Sequence, residues 1–85
     1  MAVKELFEQA VIDSKNLVEK PSNNVLLQLY GLFKQAISGD INADAPPNAF
    51  DFEAKAKFNA WQELKGKPPE LAMQEYADLI AKLKG

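Results

Sequence analysis

Apolar and polar positions alternate along this chain with a helical period, in four blocks separated by turn-forming residues. In residues 3–18, Val3, Phe7, Ala10, Val11, Ser14, Leu17 and Val18 share one face. Glu5, Glu8, Gln9, Asp13 and Asn16 fall largely off it. Lys20-Pro21 stops this helix, because the residue before a proline is pushed out of the α region. Ser22 then offers an N-cap for a second helix running to about Ser38, with Gly39 placed to take a positive φ beyond its end. The stretch from Asp40 to Phe50 carries Asn42, Asp44, Pro46, Pro47 and Asn48 and reads as a loop. Asp51 caps a third helix over about 52–65, which ends at Gly66. Pro68 and Pro69 stand where a first turn tolerates proline, and a fourth helix runs to about Lys84. No strand-like alternation and no internal repeat accompany these blocks. The expected fold is all-α, a single domain over residues 1–85 built as a four-helix bundle.

The second helix is more apolar than one packing partner requires. With 100° per residue and Val25 at zero, Val25, Leu29, Leu32 and Ala36 form one stripe within about 40° of zero. Leu26, Tyr30, Phe33 and Ile37 form a second at about 80–140°, with Lys34 and Leu27 on its edge at about 180–200°. Another helix, a partner protein or a ligand would each cover that second stripe. In the third helix, Ala56, Ala60, Trp61 and Leu64 define an apolar arc that contains Lys57. Such a lysine either runs its stem along the apolar surface to water or meets an anion at the rim of a groove. Ala72, Tyr76, Leu79, Ile80 and Leu83 share a face of the fourth helix, where periodicity alone makes Tyr76 a core tyrosine. Lys15 flanks Val11 and Val18 on the first helix.

Composition narrows the chemistry. The 85 residues contain neither His nor Cys, so the usual zinc and copper sites, thiol nucleophiles and imidazole bases are excluded. No carboxylate pair stands apart from the solvated charges, so catalysis is not expected and no cofactor or metal is implied. A net charge of −2 without a basic block argues against nucleic-acid binding. No apolar run approaches the roughly 18–20 residues that span a bilayer, so stable membrane insertion is not expected. The start, Met1-Ala2-Val3-Lys4-Glu5, lacks the basic-then-apolar order of a secretory signal, and a cytoplasmic location fits the absence of cysteine.

Several ordered blocks carry a resemblance. Leu29-Tyr30-Gly31-Leu32-Phe33-Lys34-Gln35-Ala36 with Gly39-Asp40-Ile41-Asn42, then Lys55-Ala56-Lys57-Phe58-Asn59-Ala60-Trp61-Gln62-Glu63-Leu64-Lys65-Gly66, then Ala72-Met73-Gln74-Glu75-Tyr76, resemble the acyl-CoA-binding protein family over nearly the whole chain. The resemblance implies an up-down-down-up bundle that binds long-chain acyl-CoA as a monomeric intracellular carrier and pool former. By the same resemblance Tyr30 lines the nucleotide site and Lys34 pairs with the phosphates of the 3′-phospho-ADP head. Lys57 is a second head-group lysine, Tyr76 touches the head, and Lys15 lies close to the ligand. Val11, Leu26 and Leu27 match positions along the acyl groove. Phe33 stands where tyrosine is common, keeping the ring without its hydroxyl, and Phe58 where tryptophan is common. Glu53 stands where several members carry a lysine, and Asn23 replaces a common acidic residue. The segment Pro47-Asn48-Ala49-Phe50 is one residue longer than the usual loop. Read from the residues alone, a helical protein-interaction module using the second stripe remains the alternative.

Overall fold

A computed structural model describes residues 2–42, 44–48 and 50–85; Ala49, in the lengthened loop, lies outside them. Among the described residues there are four helices and no strand: α1 Val3–Ser14, α2 Asn23–Ser38, α3 Phe52–Gln62 and α4 Pro69–Lys84. Their starts follow the predicted chemistry. Ser22 accepts a hydrogen bond from the Val25 amide at 3.3 Å, Asp51 accepts one from Ala54 at 3.1 Å, and Pro69 opens α4. Gly39 ends α2 at φ 73°, a left-handed value that glycine adopts without a Cβ penalty.

Two ends fall short of expectation. α1 stops at Ser14 rather than reaching residue 18. The backbone N–H groups of Lys15 and Asn16 turn to carbonyls three residues back, Ile12 and Asp13, while the Ser14 hydroxyl donates to Val11 and the Asn16 side-chain amide to Ile12. These side chains thus compete for the helical carbonyls, and the chain leaves the helix. Val18, expected on the buried face, is 102% exposed. α3 ends at Gln62 rather than near 65, because Leu64 and Lys65 donate three residues back, to Trp61 and Gln62. Gly66, at φ 93°, then donates its N–H to Asp40 at 2.7 Å.

The Cα trace measures 40 × 28 × 15 Å. A Cα thickness of 15 Å corresponds to two layers of packed helices, since Cα cylinders about 4.6 Å across pack with axes about 8–10 Å apart. α2 packs on both α3 and α4, and α1 packs on α4. Phe7 and Ala10 of α1, Leu29, Leu32 and Ala36 of α2, and Ala72, Tyr76 and Ile80 of α4 make the buried core. The central helix α2 thus gives one face to this core and keeps Leu26, Leu27, Tyr30, Phe33 and Lys34 only half-buried.

Candidate functional site

The first stripe of α2 is spent on the core, as periodicity predicts: Leu29, Leu32 and Ala36 are buried. The second stripe divides. Ile37 is exposed, whereas Leu26, Tyr30 and Phe33 line an apolar hollow of about 290 Å³ together with Ser14, Leu17, Pro21, Leu29 and Tyr76. The floor is aromatic. Phe7 meets Tyr76 edge-on at 5.2 Å between ring centroids, and Phe33 lies 5.9 Å from Phe7 and 6.3 Å from Tyr76. Phe33 and Tyr76 line the hollow and the buried Phe7 of α1 packs against both, so the bundle core holds these two rings in place. Tyr76 is a core tyrosine at 5% exposure that also lines the hollow, joining the two readings of its position.

Two lysines meet rings across the contact between α2 and α3, beside Tyr30 at the edge of this hollow, and a glycine brings the two helices close. A β-carbon on Gly31 would lie 2.7 Å from the Ala60 carbonyl oxygen, so α2 and α3 meet backbone to backbone there. That approach lets side chains on either side of the contact cross over. The Lys57 ammonium of α3 stands 5.7 Å from the Tyr30 ring centroid of α2. The Lys34 ammonium of α2 stands 5.0 Å from the Trp61 ring centroid of α3. The two pairs are reciprocal, each helix giving one cation and one ring, and the residues on each helix are one turn apart. Lys57 also pairs with Glu53 on its own helix, Nζ to Oε1 3.1 Å.

A buried polar junction anchors the same end of α2. Trp61 donates its indole N–H to the Gly39 carbonyl at 2.9 Å. Gln35, fully buried, donates its side-chain amide to Asp40 at 2.9 Å and to the Lys67 carbonyl at 2.7 Å. The amide of Gly66 and then that of Gln35 hold the Asp40 carboxyl below its ordinary range, because both stabilise the charged form. The end of α2 is thereby tied to the turn between α3 and α4.

The remaining predicted site residues fall in different places. Val11 packs against the core from α1. Lys15 is exposed and follows Ser14, whose side chain lines the hollow. Leu27, expected beside Leu26 along one groove, is turned about 100° from it by the helical repeat. It lines a second, wider groove of about 880 Å³ between α2, α3 and α4, with Leu32, Ala56, Ala60, Leu64 and Leu79 among its walls. Sequence reasoning did not assign Ser14, Leu17 or Pro21 to the hollow, nor Trp61 to Lys34. Ser14 and Leu17 were visible only as helix-face residues, and nothing in their spacing says that Pro21 folds back over them.

The pattern of the family described as "Acyl CoA binding protein" matches residues 4–80. The chain is 48% identical over 77 residues to the acyl-CoA-binding protein of Dictyostelium discoideum, covering 91% of this chain and 90% of that one. It is 46% identical over 78 residues to the acyl-CoA-binding protein homolog of Drosophila melanogaster, covering 92% of this chain and 90% of that one. The crystal structure of Oryza sativa acyl-CoA-binding protein 2 superposes with a TM-score of 0.88 at 34% identity, over 95% of this chain and 89% of the other. Fold, sequence and the ordered blocks of α2 and α3 thus agree, and the chain belongs to the acyl-CoA-binding protein family.

Proposed function

We propose that this chain binds long-chain acyl-CoA esters and carries them in the cell interior as a monomer, without transforming them. The observation that carries the reading is the reciprocal pair of lysines and rings, Lys57 over Tyr30 and Lys34 over Trp61, beside an apolar hollow floored by aromatic rings. An acyl-CoA presents the same two chemistries in one molecule, a flat polyanionic head and an apolar tail.

In this reading Lys34 and Lys57 take the phosphates as compact point charges, each swinging from the ring where it rests. Tyr30, freed of Lys57, offers its face to the adenine. Phe33 and Tyr76 support the junction of head and tail, Lys15 approaches from the end of α1, and Leu26 with Val11 and Leu17 flanks the tail. Leu27 meets the tail only where it crosses α2 toward the wider groove. The tail supplies much of the affinity: about 0.8 kcal/mol per methylene gives on the order of 11 kcal/mol for fourteen methylenes. Ordering the chain and head consumes several kcal/mol of that gross figure. The head then selects among apolar molecules, since a free fatty acid offers the two lysines a single carboxylate and gives the Tyr30 ring no base to stack on.

No step of bond chemistry belongs to this reading, because the sequence supplies neither His nor Cys and the lysines' task is electrostatic. Calorimetric titration with CoA esters of increasing acyl length, with CoA alone and free fatty acid as controls, tests it. Affinity is expected to rise with tail length and to exceed that of either control. Binding of palmitoyl-CoA no tighter than about millimolar, roughly −4 kcal/mol, would sink it.

A further inference from the structure

Lys57 has two partners in this fold, and they differ in what they do to an arriving anion. The Tyr30 ring takes up one side of the ammonium and leaves its other donors free. The Glu53 carboxylate, 3.1 Å away, occupies a donor and places a negative charge at the spot where an anionic head must come. Geometry favours that pairing. Glu53 and Lys57 are one turn apart on α3 with the acid nearer the N-terminus, the better order for such a pair. Glu53 also sits in the first turn, where the helix dipole favours a carboxylate. Its side chain is 79% exposed and that of Lys57 is 44% exposed, so the pair is weak enough to exchange. Lys34 differs: the ion pairs among the described residues join Lys57 to Glu53, Lys67 to Glu75 and Lys84 to Asp13, and Lys34 rests on a ring alone.

We propose that Glu53 sets the affinity and the charge selectivity of the head-group site by acting as a built-in counter-anion for Lys57. The inference rests on the acyl-CoA reading above. In the free protein Glu53 holds Lys57, and a phosphate-bearing head must break that pair to reach the ammonium. The penalty therefore falls on heads that use Lys57 and vanishes for a head without phosphates. Glu53 lines neither the hollow nor the wider groove, so it acts on selectivity between heads and not on chain length.

The test is calorimetry at about 0.01 M ionic strength, where exposed charges are screened least. Decanoyl-CoA and S-decanoyl-pantetheine share a tail and a thioester, and only the first carries the 3′-phospho-ADP head with its phosphates. Glu53→Gln is expected to bind the CoA ester about 1.5–5-fold more tightly than the unsubstituted protein, the range an exposed pair supports. It is expected to leave the pantetheine ester unchanged, and the gain is expected to disappear in a Lys57→Met background and to shrink at about 1 M salt. Equal affinity of both proteins for the CoA ester overturns the role of Glu53 and leaves the acyl-CoA reading standing. A gain that persists with Lys57→Met overturns the pairing by showing general repulsion instead. Absence of CoA-ester binding in both proteins removes the acyl-CoA reading and the inference together.

Discussion

Gly31 and Ala60 touch through their backbones: a β-carbon on Gly31 would come within 2.7 Å of the Ala60 carbonyl oxygen and 3.0 Å of its carbon. Backbone atoms cannot move aside as the end of a side chain can, so the contact sets the distance between α2 and α3. Gly31→Ala gains up to about 1 kcal/mol of helix propensity. Against this stands an overpacking cost of about 1–3 kcal/mol. The expected result is a net loss of stability in urea unfolding, with weakened acyl-CoA binding because α3 carries Lys57 and Trp61. A Gly31→Ala protein as stable as its parent would show that the close approach is not kept in solution.

Tyr30 and Lys34 stand one turn apart on α2, and neither belongs to the buried core. Their truncation should therefore separate binding from folding. A hydrogen bond to a charged group is worth about 1.5–3 kcal/mol, so Lys34→Ala is expected to weaken palmitoyl-CoA about 10–100-fold. Tyr30→Ala removes the face offered to the adenine and is expected to weaken binding severely as well. Circular dichroism is expected to report nearly unchanged helix content for both. Unchanged affinity in either variant would remove that residue from the site.

Periodicity places these two on the second stripe of α2, and their roles come from the family resemblance; what else the sequence makes legible follows from the range of the interactions. A cap is decided within four residues, so Ser22, Asp51 and Pro69 announce their helices. An apolar stripe is decided within one helix, so Leu29, Leu32 and Ala36 announce the core. The early end of α1 is also local, but it lies in side chains of Ser14 and Asn16 taking the Val11 and Ile12 carbonyls, a competition periodicity does not record. The junction of Gln35, Asp40, Gly66 and Lys67 joins residues 32 positions apart and has no repeat to betray it. Arcs on α2 and α3 likewise say which residues face outward, not where two helices cross. The pairing of Lys34 with Trp61 and the placement of Leu27 in the wider groove needed that crossing.

Asp40 gives the fold an acid-sensitive tie. The Gly66 N–H, and after it the Gln35 amide, depress its carboxyl below the ordinary value of 3.8. A group with a depressed folded value stabilises fully above its ordinary value, and that contribution is lost as pH falls through the folded value. Asp40→Ala is therefore expected to lower the melting temperature by a constant amount between about pH 5 and pH 7. The gap should narrow below about pH 4, as Asp40 in the parent protonates. Asp13 is depressed too, by Gln9 and Lys84, and it remains in both proteins, so the comparison isolates Asp40. A gap independent of pH down to strong acid would show that Asp40 acts through shape and not through charge.

Trp61 is the sole tryptophan of the chain, which makes its emission a reporter on one place. Its indole N–H is held by the Gly39 carbonyl at 2.9 Å, so the ring is not free to reorient when a ligand arrives. What can change is the charge above it, because the Lys34 ammonium at 5.0 Å is drawn toward an arriving phosphate. Titration with acyl-CoA is expected to produce a saturable change in emission whose midpoint matches the calorimetric affinity. Lys34→Ala should alter the emission of the free protein and abolish most of the ligand-induced change, even where Lys57 still supports residual binding. A free fatty acid, which has no phosphate to draw Lys34 away, is expected to leave the emission nearly unaltered. The same spectral change with fatty acid as with acyl-CoA would mean that Trp61 senses the tail or a movement of the helix, and that Lys34 does not leave its ring for the head.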